Sequence, residues 1–199
     1  CGDNPDDMGC TAVVALLEHG PPARLHVANV GDSRCVLWDE RGRAAPMSTD
    51  HKPRCKAERA RVEAAGGYVT SEGRIEGNLN LSRALGDFAY KRTRAQQAPE
   101  KQMISCVPEV RSRELRPRDR FVLLGCDGVW ETRRGSQSTV DVARRSLPAS
   151  ARGSLSKALG KLFDATIARG DNSTGLGMDN MTAVLVELPA AGAARPRAA

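Results

Sequence analysis

Short apolar runs separated by turn residues constrain the fold of this chain more than any other feature of its sequence. Three such runs stand near the start, over Thr11–Leu17, Leu25–Asn29 and Cys35–Trp38. The turn segments Gly20–Pro22 and Gly31–Ser33 lie between them. Short strands joined by such turns are typical of an antiparallel sheet. We therefore expect these three strands to form a meander.

The remaining apolar segments predict more strands together with three helices. Strands are expected to resume at Tyr68 and then to cover Met103–Val107, Glu109–Leu115, Phe121–Cys126 and Thr182–Leu188. Apolar residues at helical spacing and a glycine stop predict helices over Cys55–Ala65, Ser136–Leu147 and Ser154–Ala168. This mixture predicts a layered α+β fold in which helices cover the outer faces of sheets.

The composition fits one domain of this kind. The chain has 199 residues, 40% hydrophobic and 27% charged, which is enough for one buried core and is not typical of a disordered chain. No run approaches the ~20 apolar residues of a membrane helix. The six cysteines contain no C-x-x-C pair and do not cluster with the three histidines. We therefore expect no standard zinc site, and reduced thiols in an intracellular protein.

The two ends of the chain differ in composition from the middle. Residues 1–8 are acidic and rich in turn formers, and we expect them to be the remnant of a linker. Residues 189–199 contain only Ala, Gly, Pro and Arg and are predicted to be a disordered tail. The domain is expected over residues 9–188. Cys1 opens the chain without Met or a secretory signal, so we expect an incomplete gene product.

Three aspartates stand at turns that border apolar strands. Asp32 lies in the Gly31–Ser33 turn, Asp127 follows one strand, and Asp179 precedes the last strand. Carboxylates at the ends of neighbouring strands can converge, and Mg²⁺ or Mn²⁺ prefers such oxygen ligands. Asp and Gly are also ordinary turn residues. The spacing alone leaves a metal role and a turn role open.

Seven segments in a fixed order carry a resemblance to a known family. They are Thr11–Leu16, Ala28–Arg34, Asp50–Pro53, Ala65–Gly67, Leu81–Asp87, Cys126–Trp130 and Asp179–Thr182. Together they strongly resemble the metal-dependent type-2C serine/threonine protein phosphatases, from Gly9 to Leu188. Gly77–Arg83 and Gln102–Ser105 are most similar to the gamma isoform, in which a long acidic insertion precedes the Thr-Ala-Val-Val-Ala strand. The acidic residues 1–8 fit the end of such an insertion.

The resemblance implies a β-sandwich of two mainly antiparallel sheets flanked by helices, which hydrolyses phosphoserine and phosphothreonine in proteins. It also implies two Mg²⁺ or Mn²⁺ ions, with a third ion at a weaker site. Asp127 and Asp179 match metal-ligand positions of the family, and Asp32 matches a ligand of the third ion. Glu131 stands where the family usually has another Asp for that ion.

The segment from Leu81 resembles the flap beside the active site of the family. It ends in Asp87, and Arg74 and Arg83 are candidates to contact the substrate phosphate there. A structural role for each arginine is equally open.

Two blocks that the family uses are missing from this sequence. They are an early Arg with an acidic pair and an Asp-Gly-His-Gly block, which supply metal ligands, a phosphate-binding Arg and a proposed general acid. We therefore identify no catalytic residue, and we expect the first strands of the domain to be absent. His51 lies in its own family block and is expected to be structural. Asp127 and Asp179 alone would leave an octahedral Mg²⁺ largely to water.

Two interpretations follow from these missing blocks. The chain is the C-terminal part of an active phosphatase, or it is a truncated product that binds partners or substrates without turnover. For the first we expect phosphoprotein substrates, a monomer and no membrane partner. The resemblance to the gamma isoform favours a nuclear over a cytoplasmic location.

The positive charge raises nucleic-acid binding as a further class. The net charge is +6, with local arginine-rich runs over Arg111–Arg120 and at Arg133 and Arg134. Aromatic residues make up only 4% of the chain, the basic residues alternate with acids, and no standard recognition motif is present. We expect a solvated surface that attracts anionic substrates rather than a nucleic-acid interface.

Overall fold

The structure is a computed structural model that describes residues 6, 8–91, 98–131, 135–147, 155–168, 175 and 177–188. The predicted tail, most of residues 1–8, and Arg133 and Arg134 lie outside the described residues. The chain divides into two compact units. Unit 1 comprises Cys1–Leu16, His26–Ser33 and Ser48–Arg111, and unit 2 comprises Leu17–Leu25, Arg34–Met47 and Ser112–Ala199.

The described residues contain strands in three sheets. In chain order the strands are β1 (Gly9–Cys10), β2 (Ala12–Glu18), β3 (Arg24–Val30), β4 (Arg34–Trp38), β5 (Ala44–Pro46), β6 (Leu85–Gly86), β7 (Glu109–Glu114), β8 (Phe121–Gly125) and β9 (Ala183–Glu187). The strand orders are β1-β6, β2-β3-β7 and β5-β4-β8-β9. The strand pairings of the first and third sheets are antiparallel. The α+β class with antiparallel sheets is thus confirmed.

The helices agree with the predicted positions to within two residues. They are α1 (Lys56–Ala64), α3 (Gly135–Arg145) and α4 (Leu155–Thr166), together with an unpredicted short helix, α2 (Asp127–Trp130). The glycine stop acts as predicted, because Gly66 has φ +89° and donates to the Glu63 carbonyl while Gly67 donates to the Val62 carbonyl. This is a Schellman cap. Within the described ranges, no helix is both long and apolar enough to cross a membrane.

The core of unit 2 lies between its four-stranded sheet and two helices. Every residue of β8 is buried, since this central strand pairs with β4 on one side and β9 on the other. Apolar residues of α3 and α4 pack on the sheet, among them Val140 and Leu162. The Trp38 and Phe121 rings pack edge to face, with their centroids 5.0 Å apart. Of the predicted α4 stripe, Ile167 is exposed, because it lies beyond the last turn of the helix.

The core of unit 1 is built around α1. Val62 and Ala65 pack with Ile75, Ala84, Met103 and Ile104. Two predicted strands, from Tyr68 and over Met103–Val107, are absent and are replaced by isolated bridges such as Arg83 with Ser105. Positive φ values at Gly73, Glu76 and Gly77 interrupt the strand that was predicted from Tyr68. In the second segment, buried Met103 and Ile104 pack as part of a loop, which explains their apolar pattern without a strand.

The predicted meander is wrong at its third strand. β3 lies between β2 and β7, whereas β4 belongs to the sheet with β5, β8 and β9. The backbone of the turn between β3 and β4 is bound by His51. The Gly31 N–H donates to Nδ1 of His51, and the Gly31 carbonyl accepts the His51 N–H. Gly31 has φ +111°, which a residue with a side chain rarely adopts. The Gly31–Ser33 turn therefore does not close a hairpin.

Candidate metal and phosphate site

Asp127 and Asp179 lie at the same end of the β8–β9 strand pair in unit 2. Gly125 at the end of β8 pairs with Ala183 at the start of β9. The pairing continues one residue further, because the Cys126 N–H donates to the Thr182 carbonyl at 3.1 Å. Asp127 then opens α2, and Asp179 lies three residues before Thr182. The structure therefore brings these two predicted ligands to one turn region.

Local hydrogen bonds orient both carboxylates. Oδ1 of Asp127 accepts the Gly128 N–H at 3.0 Å, and Oδ1 of Asp179 accepts the Asn180 N–H at 2.7 Å. The Asp127 residue is half-buried and Asp179 is exposed. The Trp130 Nε1–H donates to the Gly125 carbonyl at 2.9 Å and holds α2 against the end of β8.

Cys126 is a site residue whose role was not predicted. Its Sγ accepts the Thr182 N–H at 3.2 Å and lies 3.3 Å from the Asn180 carbonyl oxygen, to which the thiol donates. The thiol thus joins the two segments that carry the aspartates. The sequence shows Cys126 only as the end of an apolar run, so no local pattern could have revealed this contact.

The two aspartates are ligands of the type that a divalent cation prefers. They supply only part of its coordination shell. Carboxylate oxygens are the donors that Mg²⁺ and Mn²⁺ prefer. Gly128 leaves room at the turn, where a β-carbon would stand 3.2 Å from Cβ of Asp179. Among the residues that the structure describes, no three His, Cys, Asp or Glu side chains lie close enough together to hold a metal ion.

The structure places the predicted third-ion ligands in different surroundings. Asp32 is 3% exposed, and its Oδ2 lies 2.6 Å from Nζ of Lys52. Glu131 is exposed and its N–H donates to the Asp127 carbonyl at 2.8 Å. The ion pair of Asp32 was not predicted, although Lys52 lies in the Asp50–Pro53 segment. A metal role for Asp32 and Glu131 stays a prediction.

Two of the flap candidates, Arg83 and Arg74, bind other groups of the chain. Arg83 Nη2 lies 2.7 Å from Oε1 of Glu58, and its Nη1 donates to the Val107 carbonyl at 3.0 Å. Arg74 is exposed and donates to the Asn78 carbonyl at 2.5 Å. Asp87 is buried at φ 50°. These contacts match the structural alternative for Arg83, and a phosphate contact for Arg74 stays a prediction.

Glu58 is the centre of a buried charge cluster that the sequence did not reveal. It is 5% exposed and binds Arg61 at 2.8 Å, Arg83 at 2.7 Å and the Ser82 hydroxyl at 2.6 Å. Burial alone would raise the pKa of the carboxyl. Hydrogen bonds from Arg83 and Ser82, with the charge of Arg61, outweigh burial and lower the pKa from 4.5 to about 2. Glu58 is therefore ionised at neutral pH.

His51 is buried and uncharged, as expected of a structural histidine. It is 2% exposed, and its Nδ1 accepts the Gly31 N–H at 3.1 Å. Nε2 makes no hydrogen bond and lies 3.7 Å from Oε2 of Glu109. Burial, followed by the charge of Arg83, lowers the pKa below its ordinary 6.5. The ring is thus neutral near pH 7, with the proton on Nε2.

Comparison with known proteins gives one consistent family. A family model described as protein phosphatase 2C matches residues 2–175. The chain is 45% identical over 183 residues to protein phosphatase 2C homolog 3 of Schizosaccharomyces pombe, covering 92% of this chain and 42% of that protein. It is 47% identical over 184 residues to probable protein phosphatase 2C 5 of Paramecium tetraurelia, covering 92% of this chain and 59% of that protein. The chain thus spans less than two thirds of the length of these relatives.

Two solved structures share the fold of this chain. A crystal structure of a phosphatase from a pathogenic strain of Toxoplasma gondii has a TM-score of 0.69 at 31% identity, covering 84% of this chain and 50% of that one. A Caenorhabditis elegans sex-determining protein has a TM-score of 0.68 at 26% identity, covering 90% of this chain and 40% of that one. With the family model matching most of its residues, this chain belongs to the protein phosphatase 2C family.

Proposed function

We propose that this family member hydrolyses phosphoserine and phosphothreonine in proteins and depends on Mg²⁺ or Mn²⁺. One observation carries the proposal: Asp127 and Asp179, which come from distant parts of the sequence, converge at one end of β8 and β9. The family membership supports it, because serine/threonine phosphatase activity is what the resemblance implies.

Asp127 and Asp179 would hold the divalent cation in this proposal. When bound, such a cation neutralises phosphate charge and lowers the pKa of water enough to supply a hydroxide nucleophile. The chain contributes orientation, since the Gly128 and Asn180 N–H groups each hold one oxygen of the neighbouring carboxylate. Cys126 and Trp130 keep the two turns in place through their contacts with Asn180 and Gly125.

A binding module without turnover is the second candidate. It is favoured by the finding that the described residues contain no group of three potential metal ligands. Two carboxylates alone leave most of an octahedral shell to water, so binding would be weak. In this case the chain would bind a phosphoprotein or a partner and release no phosphate.

The two candidates differ in metal-dependent phosphate release. The experiment measures hydrolysis of a phosphothreonine peptide by the chain with and without Mn²⁺, and Mn²⁺ binding by calorimetry on the same samples. Asp127→Asn and Asp179→Asn are the test variants. Asp164→Asn is the control, because Asp164 is exposed on α4, outside the site.

Mn²⁺-dependent phosphate release that both test variants lose, and the control keeps, would support the phosphatase. Mn²⁺ binding without phosphate release would contradict hydrolysis by this chain and favour the binding module. Equal Mn²⁺ binding by the wild-type chain and Asp179→Asn would overturn the metal site itself.

A further inference from the structure

Exposed arginines concentrate at the other end of the unit 2 sheet. Trp38 closes β4 and pairs with Phe121, which opens β8, so this end is opposite to Gly125 and Asp127. The turns that border it, together with the last turn of α3, present the residues that we call the arginine surface: Arg41, Arg43, Arg116, Arg118, Arg120 and Arg144. All six are exposed.

Hydrogen bonds connect the backbone segments beneath the arginine surface. Asp119, which is 3% exposed, accepts the Glu40 N–H and the Arg116 N–H, each at 2.9 Å. These two bonds tie the turn after β4 to the turn before β8. The Arg120 N–H donates to the Trp38 carbonyl at 3.1 Å, and the Arg144 guanidinium lies over the Trp38 ring at 5.0 Å. These contacts join the segments that carry the six arginines.

Much of the positive charge of this surface is not neutralised. Arg43 pairs with buried Asp39 at 3.0 Å, and Arg116 pairs with Glu40 at 2.8 Å. The side chains of Arg41, Arg118 and Arg120 have no carboxylate partner among the described residues. Unpaired cations at this density attract an anionic partner.

We propose that the arginine surface binds an acidic segment, rich in Asp and Glu, of a partner protein. A guanidinium binds a carboxylate through two parallel hydrogen bonds, which gives geometric selectivity that a point charge lacks. The surface lies four strand residues from Gly125, a distance of about 13 Å along β8. A bound segment would therefore leave the aspartate end of the sheet open.

Two observations favour a peptide over a nucleic acid. Glu40 stands within the surface and would repel a continuous phosphate backbone, whereas an acidic peptide can place its carboxylates on either side. Arg144 lies over one face of the Trp38 ring, so that face is not available for base stacking.

The test measures binding alone, so its result is independent of phosphatase activity. Anisotropy of a fluorescein-labelled oligoglutamate peptide is recorded with the full chain at low salt, and a fluorescein-labelled DNA duplex is the second probe. The test variant is Arg41→Glu with Arg118→Glu. The matched control is Lys56→Glu with Arg59→Glu, which changes the net charge equally at two exposed positions of α1 in unit 1.

We expect the test variant to weaken peptide binding about tenfold and the control to weaken it less than about twofold. Arg41→Lys with Arg118→Lys keeps the charge but loses the paired donors, and we expect about a threefold loss. Thermal melting of each variant checks that it is folded. Equal losses in the test and control variants, no peptide binding, or tighter binding of the DNA duplex would each overturn the proposal.

Discussion

Gly128 and Asn180 approach each other so closely that a side chain at residue 128 would collide with the Asn180 carbonyl oxygen. Gly128 follows Asp127, and Asn180 follows Asp179. The contact is between backbone groups, which cannot move aside as a flexible side chain can. The missing side chain of Gly128 is therefore what allows the two aspartate turns to meet.

Gly128→Ala is expected to lower the free energy of unfolding by about 2 kcal/mol, because the new methyl group must displace the Asn180 backbone. Mn²⁺ affinity should fall as well, since Asp179 would move with Asn180. Chemical denaturation and calorimetry measure the two effects.

Gly160→Ala is the matched control, because a methyl group at this position of α4 meets nothing within 4 Å. It should raise stability by about 0.5–1 kcal/mol through helix propensity and leave Mn²⁺ affinity unchanged. A Gly128→Ala variant with the unfolding free energy of the wild type would show that the two turns can separate without loss of stability.

Glu58→Gln should lower the free energy of unfolding by about 2–3 kcal/mol. The change leaves the half-buried guanidinium groups of Arg61 and Arg83 without their carboxylate. Glu63→Gln lies on the exposed face of the same helix and is expected to change stability by less than about 0.5 kcal/mol. Equal effects of the two substitutions in urea denaturation would mean that the buried cluster contributes little.

The same carboxylate gives the chain a specific acid sensitivity. The pKa of Glu58 is lowered from 4.5 to about 2 in the folded chain, so the unfolded chain binds the proton first as the pH falls. Stability contributed by Glu58 is complete above pH 4.5 and is lost as the pH falls towards 2, by up to about 3 kcal/mol. Because Glu58→Gln has no carboxyl to titrate, the stability difference between wild type and variant should shrink across this window. A constant difference would contradict the ion-pair assignment.

His51→Asn and His51→Leu separate the hydrogen bond of His51 from its volume. Asn can accept the Gly31 N–H as Nδ1 of His51 does, whereas Leu leaves that buried N–H without an acceptor. We expect His51→Leu to be less stable than His51→Asn by about 1–2 kcal/mol in denaturation. If the two variants are equally stable, the Gly31 contact does not hold the turn.

His51 also predicts a pH effect near neutrality. Its pKa is lowered below 6.5 in the folded chain, so the unfolded chain takes up the proton first. Its stabilising contribution is present above pH 6.5 and is lost as the pH falls below that value. Wild-type stability should therefore decline below pH 6.5 relative to His51→Asn, and parallel pH profiles would rule the effect out.

The helices and most strands could be predicted because their signals are local. The end of α1 followed from Gly66 and Gly67, whose backbone conformation completes the helix cap wherever the helix packs. β8 and β9 followed from uninterrupted apolar runs. The positions of Asp127 and Asp179 beside these strands were visible for the same reason.

Local sequence signals failed to predict the structure where a residue distant in the sequence binds a backbone or side-chain group. The Gly31–Ser33 turn has the composition of a hairpin, yet His51 binds its backbone and β4 joins another sheet. Glu58 has the sequence neighbours of an exposed helix residue, yet it is buried and its carboxylate binds Arg83 and Ser82.

By itself, the sequence determined the positions of three helices and most of the strands, and which aspartates border them, because periodicity and turn residues act over a few neighbours. Only the tertiary structure decided that Asp127 and Asp179 lie at one end of β8 and β9, that Lys52 binds Asp32 and that Cys126 joins two turns. These contacts link residues far apart in the chain, and they form only when packing brings their segments together.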